Sequence, residues 1–194
     1  MAVVTAPPPV FTTLLTAADL ALFPDELPSG AVKYELIDGR LIVMALPGDI
    51  HGAAQSNVAT ELKIQGERCG HGKCRTEVGI QLSQSPDTVV GADAVFITNA
   101  RLPLVLTKEG WHKTIADLVV EVRSKNDTRP QVQDKVDRYF AAGVRVVWVP
   151  DPIRQEFTVY RPGQNPQVLL PSDTVTIDDV IPGFQALVSV LLQE

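Results

Sequence analysis

DLVVEVRSKND, Asp117–Asp127, reads as a buried β-strand that carries a carboxylate, Glu121, between valines. Successive strand side chains point to opposite faces, so Leu118, Val120 and Val122 share one face and Asp117, Val119, Glu121 and Arg123 share the other. An unpaired charge buried there costs on the order of several kcal/mol, or else the group takes up a proton. A metal ion or a basic side chain is therefore expected against Glu121.

Downstream, SKNDTRP is a polar connection, and Pro130 suits the first turn of a helix over QVQDKVDRYFAAG that Gly143 caps. VRVVWVPD is a buried-strand run, so the order strand, helix, strand predicts a parallel crossover. EFTVYRPG and PQVLLPSDTVTI read as further strands separated by proline turns, and the tail ends in a short packed helix. Upstream, the expected strand over 116–123 follows a long irregular loop, 98–113, that holds Trp111. VVGADAVFIT before it is a strand with one acid, Asp93, in its middle, and KCRTEVGIQLS is another, joined to it through the turn SPDT.

Further toward the N-terminus, IHGAAQSNVATELKIQGERCG has helical spacing at Ala54, Val58 and Leu62, with Gly70 and Gly72 ending the helix. KYELIDGRLIVMAL is a hairpin with strands at about 33–38 and 40–46 around Asp38-Gly39. Thr16 is an N-cap for a short helix in AADLALFP whose end Pro24 marks. Residues 1–12 are proline-punctuated and read as a flexible lead-in to one domain over 13–194.

Composition agrees with a single domain: 194 residues, 45% hydrophobic and 21% charged, suffice for a core. The net charge of -6 gives no overall basic field of the kind that accompanies nucleic-acid binding, although a small positive site or a bound cation could serve locally. Two cysteines make no disulfide framework, the first residues make a poor signal peptide, and no apolar run approaches the roughly 18 residues of a membrane span. A soluble protein of the cytoplasm is expected.

Three charged side chains stand where charge is costly: Asp93 and Glu121 within apolar strands, and Lys135 on the following helix. The apolar stripe of that helix is Val132, Val136, Tyr139 and Phe140, and Lys135 borders it. Two carboxylates on neighbouring strands suit Mg²⁺, which prefers oxygen ligands and keeps several waters. A lysine beside them can orient water and stabilise charge on a scissile phosphate. Taken singly, each residue has a plainer reading, an edge-strand charge or a snorkelling lysine. Cys69, His71 and Cys74 can each bind zinc, but they supply three ligands where a structural site takes four, so a glycine turn is the preferred reading.

YELIDGRLIV, the acid in GADAVFI, DLVVEVRS, DKVDRYFAAGVRVVWVPDP and FTVYR, in this order and spacing, resemble the Uma-type family of restriction-endonuclease-like proteins. The resemblance runs from about Thr16 to the C-terminus. It implies the PD-(D/E)xK nuclease fold, a single α/β domain with a mixed β-sheet flanked by helices, and a Mg²⁺-dependent site in which Mn²⁺ can substitute. It implies Asp93, Glu121 and Lys135 as catalytic residues, with the lysine displaced onto the helix, and metal contacts at Asp93, Glu121 and Val122. Glu35 and His51 fall in blocks where the family carries an acid and a histidine, and they rank below the first three.

Two positions depart from the superfamily pattern. Ala92 replaces the usual proline, and the usual E-x-K reads Glu121-Val122-Arg123. Arginine stays protonated and cannot act as a base, so Arg123 is expected to contact phosphate instead. The expected activity is hydrolysis of DNA phosphodiester bonds, with a homodimer supplying two sites for a double-strand cut. The rivals are a non-catalytic binding or scaffold protein whose charges form an internal salt-bridge network, and a metal-dependent hydrolase of small phosphate esters.

Overall fold

The computed structural model describes residues 13–194 except 25, 29, 45, 103–109 and 126. The expected lead-in, 1–12, and residues 103–109 of the Trp111 loop lie outside the described residues. Thr16 caps α1 (Ala17–Leu20) through a capping box with Asp19, and the helix stops before the expected Pro24. A small hairpin that the sequence did not signal follows, β1 (Glu26–Leu27) with β2 (Gly30–Ala31). The next hairpin is the expected one, β3 (Lys33–Ile37) and β4 (Arg40–Met44), and Asp38 and Gly39 both take positive φ, 50° and 75°. That pair of left-handed residues is what a tight hairpin turn of this hand requires.

α2 (Asp49–Glu61) runs on into a π-helical segment, Leu62–Glu67, which the four-residue spacing did not foretell. The wider turn brings Gly66 against the core, where an added Cβ would lie 2.5 Å from the Phe96 ring. Gly66→Ala is accordingly expected to destabilise by about 1–3 kcal/mol through overpacking, read as a lowered urea midpoint with unchanged m. Gly70, at φ 83°, ends the helix as expected, but Gly72 opens a strand instead, lodged 2.2 Å from the Ile97 carbonyl by its would-be Cβ.

β5 (Gly72–Ser83) pairs antiparallel with β6 (Thr88–Thr98), and β7 (Leu118–Val120), α3 (Arg129–Ala141) and β8 (Val146–Asp151) make the parallel crossover. β9 (Glu156–Tyr160) and β10 (Gln167–Leu169) complete an eight-stranded mixed sheet of order β10-β9-β8-β7-β6-β3-β4, with β5 on β6. A separate pair, β11 (Thr174–Thr176) and β12 (Gln185–Leu187), leads into the short C-terminal α4 (Val188–Leu191).

Helices cover both faces of the sheet. Ala54, Val58 and Leu62 of α2 and Leu191 of α4 meet Phe96, Leu118, Val120 and Trp148 on one side. On the other, Val136 and Tyr139 of α3 meet Val95, Val119 and Val147. Leu118 and Val120 thus face α2 while Val119 between them faces α3, the strand alternation read from the sequence. Among the described residues no helix is long and apolar enough to cross a membrane.

The central strand is shorter than the expected 116–123. Pairing with β8 continues, since Glu121 N donates to the Trp148 carbonyl at 2.9 Å and Arg123 N to that of Pro150 at 2.8 Å. Pairing with β6 does not, because Val122 N donates to the Asp93 carboxylate at 2.7 Å. A side chain from the neighbouring strand has taken the place of a ladder rung.

Candidate active site

The rungs Phe96–Leu118, Val95–Val119 and Ala94–Val120 run in register toward Asp93 and Glu121, which would face each other on the next one. Directly opposed like charges destabilise a ladder, and the sheet opens there. β6 also turns over at Asp93: Val95 and Ile97 face α3, and so do Val90 and Ala92, of the other parity. On its far side, β5 bonds to it at Thr76–Ala94 and Val78–Ala92 but not between, and Glu77 takes φ 54° at the gap. Gln55 of α2 fills the break by donating to the Asp93 carbonyl at 3.0 Å and to the Glu77 carboxylate at 2.7 Å.

Five of the side chains singled out in the sequence converge. Lys135 donates to Glu35 at 2.9 Å and to Glu121 at 3.0 Å, so the helix lysine bridges two acids that lie 86 residues apart in the chain. Glu35, although on a hairpin, is only 7% exposed, and its Oε1 also accepts from Gly91 N at 3.0 Å. His51, at the start of α2, sets Nε2 3.3 Å from Asp93 Oδ2. Tyr139 donates to the second oxygen of Glu121.

Tyr139 was legible only as part of the apolar stripe, and Gln55 and Glu77 carried no signal at all. A buried tyrosine hydroxyl nearly always finds a partner, and that was the available hint. Arg123 stands apart from this cluster. It donates to Asp151 at 3.2 Å and to the Asp127 carbonyl at 3.0 Å, closing the turn after the strand, although it lines the same cleft.

Three carboxylates, Glu35, Asp93 and Glu121, share the cleft with one lysine and one histidine. Burial pushes the Glu121 carboxyl up to about 7; Lys135 opposes the rise, and Asp93 and Glu35 add to it. Burial acts to lower the Lys135 pKa, but Glu121 and Glu35 outweigh it and hold the ammonium above its ordinary value. For His51, too, burial acts downward, and the bond and charge of Asp93, the Val122 carbonyl and Glu121 together raise the net value. Burial and the Glu121 charge push the Tyr139 hydroxyl well up, so it stays a donor.

One consequence is a pH dependence of stability. Between pH 4.5 and about 7 the folded chain keeps a proton on Glu121 that the unfolded chain has released. Stability therefore falls by a few kcal/mol as pH rises through that window, and the raised His51 value extends the fall in the same direction above 6.5. Chemical unfolding at a series of pH values is expected to show this slope and to lose most of it in Glu121→Gln.

The donor set fits a hard divalent cation. Among the described residues no three His, Cys, Asp or Glu side chains are spaced to enclose a metal ion. The protein would supply the carboxylates of Asp93 and Glu121 and the main-chain carbonyl of Val122, its side chain having no donor. Oxygen ligands from few residues, with water for the rest, are the pattern of Mg²⁺ rather than of a closed zinc site. Excess negative charge in the half-buried cluster would favour such an ion. At the other end of α2, Cys74 is buried with Sγ 3.8 Å from the Ala59 carbonyl while Cys69 is exposed, and both are free thiols.

The cluster lines a cleft of about 1110 Å³ between α3, β3 and the region of Trp111. No curated protein matches the chain. A crystal structure of "a putative nuclease belonging to DUF820" from Anabaena variabilis ATCC 29413 is similar in fold, with a TM-score of 0.74 and 20% identity, covering 92% of this chain and 97% of that one. Glu35, His51, Asp93, Glu121 and Lys135 all lie within residues 21–190, the segment that matches the model of the Uma2 family, "Putative restriction endonuclease", and the chain belongs to that family.

Proposed function

We propose that the chain is a Mg²⁺-dependent endonuclease of the cytoplasm that hydrolyses DNA phosphodiester bonds, works as a homodimer and accepts Mn²⁺ in place of Mg²⁺. The observation that carries this reading is the meeting of Glu35 and Glu121 on Lys135, beside the Asp93–His51 pair, in one cleft where burial raises Glu121 to about 7. Asp93, Glu121 and the Val122 carbonyl would hold the metal. A bound Mg²⁺ supplies polarisation of a phosphoryl oxygen and a more acidic water.

The chain's own residues do the remaining work. Lys135, fixed between Glu35 and Glu121, presents a preorganised charge to the phosphate as negative charge grows on it. Glu35 positions the lysine. Tyr139 holds Glu121 in one orientation, and the His51 ring beside Asp93 is placed to pass a proton to or from water. Arg123, at the cleft wall, is assigned a phosphate contact.

The scaffold reading has one observation in its favour, the direct bridging of both acids by Lys135. Calorimetric titration with Mg²⁺, followed by incubation with duplex DNA and with mononucleotides, separates the readings. A single-site binding isotherm that Asp93→Asn weakens, with cleavage of the duplex, is the expected result. Absence of divalent binding would leave a salt-bridge network, and turnover of nucleotides alone would make the chain a small-ester hydrolase.

A further inference from the structure

We propose that the outer edge of β4 pairs antiparallel with β4 of a second copy of this chain, and that the partner's Arg40 thereby enters the rim of each cleft. The first statement stands on the fold alone; the second rests on the endonuclease reading.

The sheet has three edges, at β10, β5 and β4, and they are protected unequally. β10 is three residues long and sits between Pro166 and Pro171, the short, proline-flanked edge that resists pairing. The outer side of β5 is partly met by His112, whose backbone exchanges bonds with Gln81 and Gly79 at 3.0 and 2.8 Å. β4 has neither device. It spans five residues, RLIVM, contains no proline and one charge, and among the described residues pairs only with β3.

Its side chains point both ways. Ile42 lies opposite Glu35 and lines the cleft with Met44, whereas Val43 lies opposite Tyr34 on the other face. Ile42 is 41% and Val43 58% exposed, and Leu46 and Ile50 beyond them are also exposed. A docking helix would cover one face of such an edge. Continuation of the sheet covers both, and satisfies the backbone groups as well.

A second copy suits this edge better than a foreign strand. Antiparallel pairing centred on Ile42 sets Ile42 against Ile42 and Arg40 against Met44 twice, so no like charges meet, and a two-fold relation closes. It also answers the charge of the cleft. The lining carries Glu35, Glu77, Asp93, Glu121, Asp127 and Asp134 against Lys33, Arg123, Lys135 and Arg138. Arg40 shares the face of Ile42, so pairing delivers the partner's Arg40 beside Met44 at the mouth of that acidic cleft.

Light scattering over a concentration series is expected to give twice the chain mass of 21.0 kDa. Val43→Lys, at a position outside the cleft lining, should give a folded monomer with unchanged Mg²⁺ binding, while Val168→Lys on the opposite edge should remain dimeric. A monomeric wild type overturns the proposal, as does a dimer that survives both Val43→Lys and Ile42→Lys. Arg40→Ala should stay dimeric but bind duplex DNA several-fold more weakly, with the salt slope reduced by about one. Wild-type DNA affinity in that variant overturns the Arg40 contact, and the mass measurement reads the pairing even if no DNA is cut.

Discussion

Lys135→Ala is expected to lower phosphodiester cleavage at saturating DNA by about 10²-fold or more, the size of one preorganised electrostatic contact, while Mg²⁺ still binds. The ammonium is held at 2.9 and 3.0 Å from Glu35 and Glu121, so its position does not have to be organised during the reaction. Its removal also leaves those acids without their nearest cation. Since Lys135 is what opposes the upward shift of Glu121, the variant should hold the Glu121 proton to higher pH. The acidic limb of the pH–rate profile should move up with it. Arg123→Ala should act differently, loosening the turn that its bonds to Asp151 and the Asp127 carbonyl close and weakening DNA binding. Near wild-type cleavage in Lys135→Ala, with cleavage abolished in Arg123→Ala, would exchange the two roles.

Glu121→Gln is expected to keep the fold and reduce divalent affinity by roughly 10²-fold or more, because half of the carboxylate charge offered to the ion is gone. The amide oxygen can still accept from Lys135, and the Tyr139 hydroxyl can turn to accept from the amide, so no buried polar group is orphaned. Calorimetry with Mg²⁺ beside a thermal melt distinguishes the cases. Retained affinity would remove Glu121 from the metal site, and a variant that unfolds would make its contacts with Lys135 and Tyr139 the reason for its presence. In the wild type, metal affinity should rise with pH through about 7, as the ion displaces the proton held by Glu121.

What could be read in the sequence follows a physical line. Asp93, Glu121 and Lys135 were visible because each breaks a local hydrophobic pattern, and the pattern is set by near neighbours. The hairpin at Asp38-Gly39, the cap at Thr16, the proline in the first turn of α3 and the parallel crossover around that helix are likewise local and were found in place. Glu35 ranked below those three, because a charge on a hairpin breaks no local pattern. Its burial comes from α3, whose Lys135 is 100 positions along the chain. The early end of β7 has the same kind of cause, a side chain from β6 capturing the Val122 N–H, and strand periodicity cannot anticipate it. Tyr139 was hidden by the stripe it belongs to, since periodicity counts its ring and not its hydroxyl. Gln55 was hidden because a neutral side chain in a helix violates nothing.

Everything proposed for the cleft depends on Asp93 and Glu121 holding a divalent cation with Lys135 beside it. Anomalous diffraction from crystals grown with Mn²⁺ tests this most directly. One strong peak bound by both carboxylates and the Val122 carbonyl is expected. A map without that peak at saturating Mn²⁺, with Lys135 still bridging Glu35 and Glu121, would contradict it.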